Sequence, residues 1–293
     1  MEKVTVIVPV FNAGPYLKTC LDSIVRQTYQ QLEILLINDG STDESASLCE
    51  AYRKMDDRVR VIHKKLGGSG VGAARNTALP FITGDYVLFV DNDDWLELHH
   101  IEFLYQSLKE TDSDIAIANF TEFDEDRQAF RFHVTADDYF QEIYHPKDWF
   151  ALQYEGKFAF SQCFTVPWCK LYKASLFENI VYPEDEKVED DLTTWKVYLM
   201  ADQIVYSNIG LYYHRKRATS VTKTVDAAAV YPLKSIEERV TMLSLLGLDI
   251  TTELRAYRWR LQLHRDSFLK AGKMQEYQKV LQKLTILEKW SKM

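Results

Sequence analysis

The stretch Asp85-Tyr-Val-Leu-Phe-Val-Asp-Asn-Asp-Asp-Trp95 joins a short apolar run to a dense acidic turn. Residues 86–90 have the composition of a strand that is buried on both faces of a parallel sheet. The run ends in three carboxylates within residues 91–94, which repel one another and resist desolvation, so they need a compensating cation. Hard oxygen ligands of this kind suit Mg²⁺ or Mn²⁺, especially when substrate phosphates complete the coordination. The alternative is a polar turn in which Asp94 is the N-cap of a helix.

Alternating strand and helix patterns precede this stretch. Apolar or β-branched runs predict strands at 4–11, 32–37 and 59–62, and helical spacing of apolar residues predicts helices at 16–27, 44–55 and 73–78. This order predicts an α/β fold with a right-handed, mostly parallel sheet flanked by helices, in which ligands bind at the carboxyl ends of the strands. Polar loops at 9–12, 38–41 and 91–94 fall at those ends. Their coincidence predicts a nucleotide site.

Composition and charge limit the class of protein. The chain has 293 residues, is 46% hydrophobic and carries a formal charge of −8, which argues against non-specific nucleic-acid binding. Four cysteines show neither metal-ligand spacing nor the density of a disulfide scaffold, so we expect reduced thiols in a cytoplasmic protein. We expect no signal peptide, and no apolar run of the sequence is long enough to span a bilayer, so we expect a soluble or peripheral protein.

The rest of the chain is less regular. Residues 121–148 are acidic and aromatic without clear periodicity, and 204–206 and 210–215 indicate two short strands. The acidic Glu189-Asp-Asp191 precedes a helical pattern, where such charges either complement the helix dipole or do chemistry. We expect one domain over 1–225 and a small helical appendage over 226–293.

The basic and apolar segment Arg255–Arg265 of the appendage has two interpretations. We favour a packed helix with a solvated basic face. The alternative is an interfacial helix that is attracted to anionic lipid. A homo-oligomer and peripheral contact with the inner face of the membrane stay open.

Several short motifs occur in one order along the chain. They are Val6-Ile-Val-Pro-Val-Phe-Asn12, Asn38-Asp-Gly-Ser-Thr-Asp43, Gly72-Ala-Ala-Arg-Asn76, Asp91-Asn-Asp-Asp94, Trp168-Cys-Lys-Leu-Tyr172, Glu189-Asp190 and Tyr212-Tyr-His-Arg215. With these motifs the chain resembles a family 2 glycosyltransferase of the GT-A fold, in the bacterial branch that builds surface polysaccharides and glycosylates adhesins. The resemblance covers roughly residues 3–222 and leaves the C-terminal appendage out.

The resemblance implies a role for each motif. The loop after the first strand (Pro9, Val10, Phe11, Asn12) and Asp39 would hold the uracil and ribose of a UDP-sugar. The glycine-rich loop, which includes Gly68, would lie beside this ligand, and Arg75 near its diphosphate. Asp91, Asn92 and Asp93 form the Asp-x-Asp element, with Asp93 as the direct metal ligand, Asp91 nearer the ribose, and His214 as a further metal or diphosphate contact. Asp190 would be the catalytic base, with Asp191 as the second candidate.

The implied reaction is an inverting, metal-dependent transfer of a hexose from a UDP-sugar to a glycan hydroxyl on a protein (an adhesin) or a lipid carrier. Galactose or glucose is the favoured sugar, and N-acetylhexosamine follows. Two alternatives share the sheet: a nucleotide-sugar nucleotidyltransferase and a non-catalytic binding subunit. Two positions depart from the family pattern. Asn38 stands where an acidic residue is usual, and Cys169 stands where Asn is frequent.

Overall fold

The structure is a computed structural model that describes residues 2–64, 67–184, 186, 188–217 and 226–290. The chain divides into two compact units, residues 1–218 and 219–293. The boundary that we predict between residues 225 and 226 adjoins the segment 218–225, which lies outside the described residues, so its position stays a prediction. Within the described ranges, no helix is both long and apolar enough to cross a bilayer.

Four parallel strands form the half of the sheet that carries the polar loops. β1 (Val4–Val10), β2 (Leu32–Asn38), β3 (Val59–His63) and β4 (Tyr86–Phe89) lie in the order β3-β2-β1-β4, and each adjacent pair is parallel. β1 and β4 are buried along their whole length, as their apolar sequences predict. The helices α1 (Gly14–Val25), α2 (Ser45–Met55) and α3 (Val71–Ala78) alternate with these strands. The predicted α/β class is confirmed.

The other half of the sheet is mixed. β6 (Ile115–Asp124) and β10 (Ile204–Lys216) are parallel, and β9 (Lys170–Lys173) is antiparallel to both β4 and β6, between which it lies. The short strands β5 (Trp95–Leu96) and β8 (Gln141–Tyr144) pair antiparallel with β10, and β7 (Ala129–Phe132) pairs antiparallel with β6. The helices of this half are α4 (His100–Thr111), α5 (Pro146–Ala151), α6 (Phe160–Thr165) and α7 (Glu189–Leu199).

The structure excludes one alternative, corrects one predicted pair of strands, and contains strands where none was predicted. Asp94 does not cap a helix, because the next two residues form β5 and α4 begins only at His100. The two short strands predicted at 204–206 and 210–215 are one strand, β10, with irregular pairing between Ser207 and Tyr212. Residues 121–148 contain the end of β6 together with β7 and β8, whose exposed side chains leave no alternating pattern to recognise.

The C-terminal unit is helical, as expected. It consists of α8 (Ala227–Val230), α9 (Leu233–Leu245), α10 (Thr251–Lys270) and α11 (Met274–Trp290). Its small apolar core is formed by Leu261, Val280 and Leu284. A buried ion pair, with 3.0 Å between Arg239 Nε and Glu253 Oε2, joins α9 to α10.

Candidate functional site

The loops that follow β1, β2 and β4 meet at one edge of the sheet. The side-chain amide of Asn92 donates to the Pro9 carbonyl at 2.8 Å. The backbone N–H of Asp39 donates to the Val10 carbonyl at 2.8 Å, and the Gly68 N–H donates to the Asp39 carbonyl at the same distance. The structure therefore brings together five residues that the sequence analysis assigns to nucleotide binding.

The Asp39 carboxylate is buried and fully engaged by the glycine-rich loop. Its Oδ1 accepts from Ser69 Oγ at 2.7 Å and lies 3.1 Å from Lys64 Nζ, while Oδ2 accepts from the Gly70 N–H at 3.1 Å. The loop passes so close that a Cβ on Gly40, whose φ is +73°, would lie 2.4 Å from Gly67 Cα. Glycine is thus required where the two loops cross.

The side chains of the first two loops serve different purposes. Phe11 is 47% exposed beside Gly68, so its ring is available to a ligand. Asn12, at φ +46°, accepts from the Thr42 N–H at 2.8 Å and thereby holds the two loops together. Asn38 is buried, with its amide 2.9 Å from His63 Nδ1 and its carbonyl accepting from the Ser41 N–H. Asn38, which departs from the family pattern, therefore stabilises the turn that follows β2.

Arg75 links the acidic turn to the start of α7. It is 2% exposed, so it is not in a surface salt bridge. Its Nη2 lies 3.2 Å from Asp91 Oδ1, and its Nη1 contacts the buried carboxylate of Glu189. Burial lowers the pKa of Arg75, but the Glu189 and Asp91 carboxylates outweigh this effect and raise it overall. Arg75 is therefore a permanent cation between two groups that the chain order separates by about a hundred residues.

The two candidate bases in α7 lie in different environments. Asp190 is partly exposed, and its Oδ1 accepts from the Asp191 N–H at 2.8 Å. Burial, then the Glu189 carboxylate, raises the pKa of Asp190 to about 8 against the opposing effect of Arg75. Asp191 is 7% exposed. A base must reach the hydroxyl that it deprotonates, so this difference favours Asp190.

The acidic turn concentrates carboxylates under partial burial. Burial, partly offset by Arg75, raises the pKa of Asp91 to about 7. Burial and the neighbouring Asp94 raise the pKa of Asp93, whose Oδ2 lies 2.5 Å from Arg217 Nη2. Burial is thus the main cause at both positions, and the cations Arg75 and Arg217 offset only part of it.

Asp94 is a functional residue that the sequence analysis missed. It is 1% exposed and accepts from the Tyr212 hydroxyl at 2.7 Å and from the Arg215 N–H at 2.7 Å. His214 Nδ1 lies 3.3 Å from the same carboxylate. Asp94 therefore fastens β10 to the acidic turn and orients the imidazole. The alternation of Tyr212 and His214 on one face of a strand was the available signal.

Asp91, Asp93 and His214 offer donors that suit a divalent metal ion when substrate phosphates complete its coordination. Within the described ranges, no group of three or more His, Cys, Asp or Glu side chains is arranged to hold a metal ion. Mg²⁺ is commonly held by one or two carboxylates plus substrate phosphates, and Asp91 and Asp93 can supply the carboxylates. The contact between His214 Nδ1 and Asp94 orients the other ring nitrogen, Nε2, in the arrangement typical of histidine ligands.

The Trp168–Tyr172 motif lies in the core behind this turn. Trp168 is 2% exposed and stacks on Tyr212 and His214 with centroid distances of 4.5 and 4.9 Å, so it is a supporting residue and not a sugar platform. Cys169 has φ +57°, a left-handed conformation that Asn adopts more readily than other side chains. This conformation explains why Asn is frequent at this position in the family. Cys169 adopts the same backbone conformation although it is not Asn.

Comparison with known proteins adds independent findings. Residues 5–180 match the model of a family described as glycosyl transferase family 2. Glycosyltransferase GlyA of Streptococcus pneumoniae serotype 4 is 38% identical over 263 residues, which cover 89% of this chain and 38% of GlyA. Glycosyltransferase GlyG of the same strain is 34% identical over 280 residues, which cover 90% of each protein. The chain thus spans less than half of one relative and nearly all of the other.

Among solved structures, Staphylococcus aureus TarS 1–349 in complex with UDP-GlcNAc superposes with a TM-score of 0.74. The match covers 97% of this chain and 81% of the TarS chain at 22% identity. At that identity the likeness concerns the fold.

Proposed function

The chain belongs to glycosyltransferase family 2 with a GT-A fold, and from this premise we propose that it transfers a hexose from a UDP-sugar to a hydroxyl of a glycan acceptor with inversion. The observation that carries the proposal is the link from Asp91 through Arg75 to Glu189, next to the partly exposed Asp190. It joins the proposed nucleotide edge to a proposed base.

The proposed roles are those that membership in the family implies for these positions. Pro9 to Asn12, Asp39 and Gly68 bind the uridine, with the exposed Phe11 ring against the base. Asp190 accepts the proton of the acceptor hydroxyl as its oxygen attacks the anomeric carbon and the bond to UDP breaks. Arg75 holds the Asp91 and Glu189 carboxylates in place and thereby fixes the start of the helix that carries Asp190. Asp191, which is more buried, supports the helix start.

Mn²⁺ or Mg²⁺ is the proposed cofactor, and Asp91, Asp93 and His214 would hold it. When bound, such an ion stabilises the negative charge of the departing diphosphate. The raised pKa values of Asp91 and Asp93 support this assignment, because a nearby cation would keep both carboxylates ionised.

The proposed donor is UDP-galactose or UDP-glucose, followed by UDP-N-acetylhexosamine. The UDP-GlcNAc complex of TarS supports a UDP-sugar and brings the third donor into consideration. The proposed acceptor is a glycan on a protein or a lipid carrier, and the proposed location is the cytoplasm.

The test is hydrolysis of a panel of UDP-sugars in the presence of Mn²⁺. We expect UDP release from one sugar to exceed release from the others by at least about tenfold, because a site that hydrogen-bonds sugar hydroxyls discriminates strongly. EDTA treatment is the matched control and is expected to suppress release. Pyrophosphate-dependent UTP formation would support the nucleotidyltransferase alternative. If the protein shows no hydrolysis and no Mn²⁺-dependent UDP binding, the result would support the non-catalytic binding subunit.

The sequence favours a packed helix with a solvated basic face, but the exposed tryptophans lead us to propose that the C-terminal unit also contacts anionic membranes. Residues 226–290 carry eleven Lys or Arg against eight Asp or Glu, although the whole chain is acidic. Within the same unit, Trp259 is 48% exposed and Trp290 is 66% exposed. Basic charge combined with exposed tryptophan is typical of surfaces that bind at the headgroup level.

For this contact we expect co-sedimentation with vesicles that contain about one third phosphatidylglycerol, and little with phosphatidylcholine alone. Binding should fall as salt rises, because the attraction is partly electrostatic. The double variant Trp259→Ser, Trp290→Ser should bind severalfold more weakly, with the exposed Met55→Ser in the first unit as the control. Equal binding by all forms would contradict membrane contact, and self-association in light scattering would favour a homo-oligomer instead.

A further inference from the structure

Arg217 forms an ion pair with Asp93, one of the carboxylates that the proposed function assigns to the metal. Its Nη2 lies 2.5 Å from Asp93 Oδ2, and the two side chains are 28% and 19% exposed. This pair is partly shielded from water, so it is stronger than a surface ion pair. A divalent ion bound to the same carboxylate would lie close to the Arg217 guanidinium and be repelled by its charge.

The guanidinium is held on the nucleotide side of the acidic turn. Its central carbon lies 4.8 Å from the centroid of the Tyr16 ring, in the helix that follows the β1 loop. Arg215 contacts the same ring at 4.9 Å, and its Nε donates to the Asp93 carbonyl at 2.7 Å. Two arginines therefore contact Tyr16 beside the Asp-x-Asp turn, and of the two Arg215 also pairs with Glu125.

The charged groups around the acidic turn limit what can bind to its carboxylates. Asp91 is paired with Arg75, Asp93 with Arg217, and Asp94 with Tyr212, His214 and the Arg215 backbone. A divalent ion that arrived alone would have to displace Arg217 and would then lie beside its positive charge. A diphosphate supplies the anion that Arg217 needs once it has left Asp93.

We propose that Arg217 is an internal counter-ion of Asp93 that excludes the metal until a nucleoside diphosphate draws the guanidinium away. Arg217 thereby makes metal binding depend on the nucleotide, and it contacts the diphosphate afterwards. This inference rests on the proposed function, because it assumes the metal ion and the UDP-sugar that are proposed there. Arg217 is a positioning residue in this role.

The test is the affinity of the full chain for Mn²⁺, measured from the electron paramagnetic resonance signal of free Mn²⁺ with and without UDP. Without UDP, Arg217→Met should bind Mn²⁺ about tenfold or more tightly than the wild type, because no charge-assisted hydrogen bond has to be broken. UDP should tighten Mn²⁺ binding strongly in the wild type and much less in the variant. Arg131→Met, which removes the same charge from a pair with Asp124, is the control and should resemble the wild type.

Arg217→Gln provides a second variant if Arg217→Met does not fold, and the same direction of change is expected from it. Mn²⁺ affinity that is unchanged or weaker in these variants without UDP would overturn the inference. The proposed function would survive that result as long as the wild type binds Mn²⁺ in the presence of UDP. If the wild type binds no Mn²⁺ even with UDP, both the inference and the proposed metal dependence fail.

Discussion

Replacement of Asp190 by Asn is expected to lower kcat by a factor of roughly 10²–10⁴ while the affinity for the UDP-sugar stays within about twofold of the wild type. The amide keeps the size of the side chain and can still accept from the Asp191 N–H, as Asp190 Oδ1 does at 2.8 Å. It cannot take a proton, so only the transfer step loses its base. Steady-state transfer and calorimetric titration of the donor measure the two quantities separately.

Asp191→Asn is the matched control, because it makes the same chemical change one residue along the helix. We expect that variant to retain most of its activity, since Asp191 is 7% exposed and less accessible to an acceptor. Near-normal turnover in Asp190→Asn would reject Asp190 as the base. A larger loss in Asp191→Asn would transfer the role to Asp191.

The pH dependence of the wild type provides a second measurement on the same residue. A base must be deprotonated to act, so kcat/KM should rise with pH and level off above about 8, the raised pKa of Asp190. The effect on stability has the opposite sign. Because folding raises this pKa above its unfolded value, the stabilisation is complete below about pH 4 and is lost as the pH rises through about 8. Asp190→Asn should remove the rise of kcat/KM and the Asp190 part of the stability change, while the part from Asp91, whose pKa is raised to about 7, remains.

Replacement of Arg75 by Met is expected to lower the free energy of unfolding by about 3–5 kcal/mol. Methionine preserves most of the volume between the Phe89 and Tyr182 rings, which lie 5.7 and 5.4 Å from the guanidinium carbon. The loss therefore comes mainly from the Glu189 carboxylate, which is 4% exposed and would be left without its cation. Urea unfolding followed by circular dichroism measures the change.

The double variant Arg75→Met, Glu189→Gln is expected to recover much of this loss, because it removes the stranded charge together with its partner. Arg131→Met is the control for the removal of an arginine, since its pair with Asp124 leaves the side chain 43% exposed. That variant should unfold at the wild-type midpoint. A loss below about 1 kcal/mol in Arg75→Met would mean that Glu189 does not depend on Arg75.

The first half of the sheet was predictable because β1, β2 and β4 are almost completely buried. Such strands are continuous apolar runs bounded by turn residues, and they carry their own signal in the sequence. The loops at Pro9, Asp39 and Asp91 could therefore be assigned to one edge before any contact was known. The second half was harder, because β7 and β8 are mostly exposed and their pairing depends on distant partners.

The contacts of the candidate site were less predictable than its location. Carboxylates at 91–94 and 189–191 are visible in the sequence, but nothing local shows that Arg75 joins them. A helix cap was the alternative for Asp94, because a capping aspartate and an aspartate that binds a distant strand look alike in sequence. Only the pairing of β10 with β5 distinguishes them.

The irregular stretch of β10 has a consequence for how this chain tolerates changes in length. Beyond it, Tyr212 and His214 face Trp168, whereas Tyr213 and Arg215 face Trp95. A strand alternates its sides at every residue, so one residue inserted between Gly210 and Tyr212 would exchange these two sets. The pairing shifts on both sides of Gly210, where a Cβ would lie 2.7 Å from Thr121 Oγ1. An odd change in the number of residues after Gly210 would therefore change which side chains face the acidic turn, whereas an even change would not.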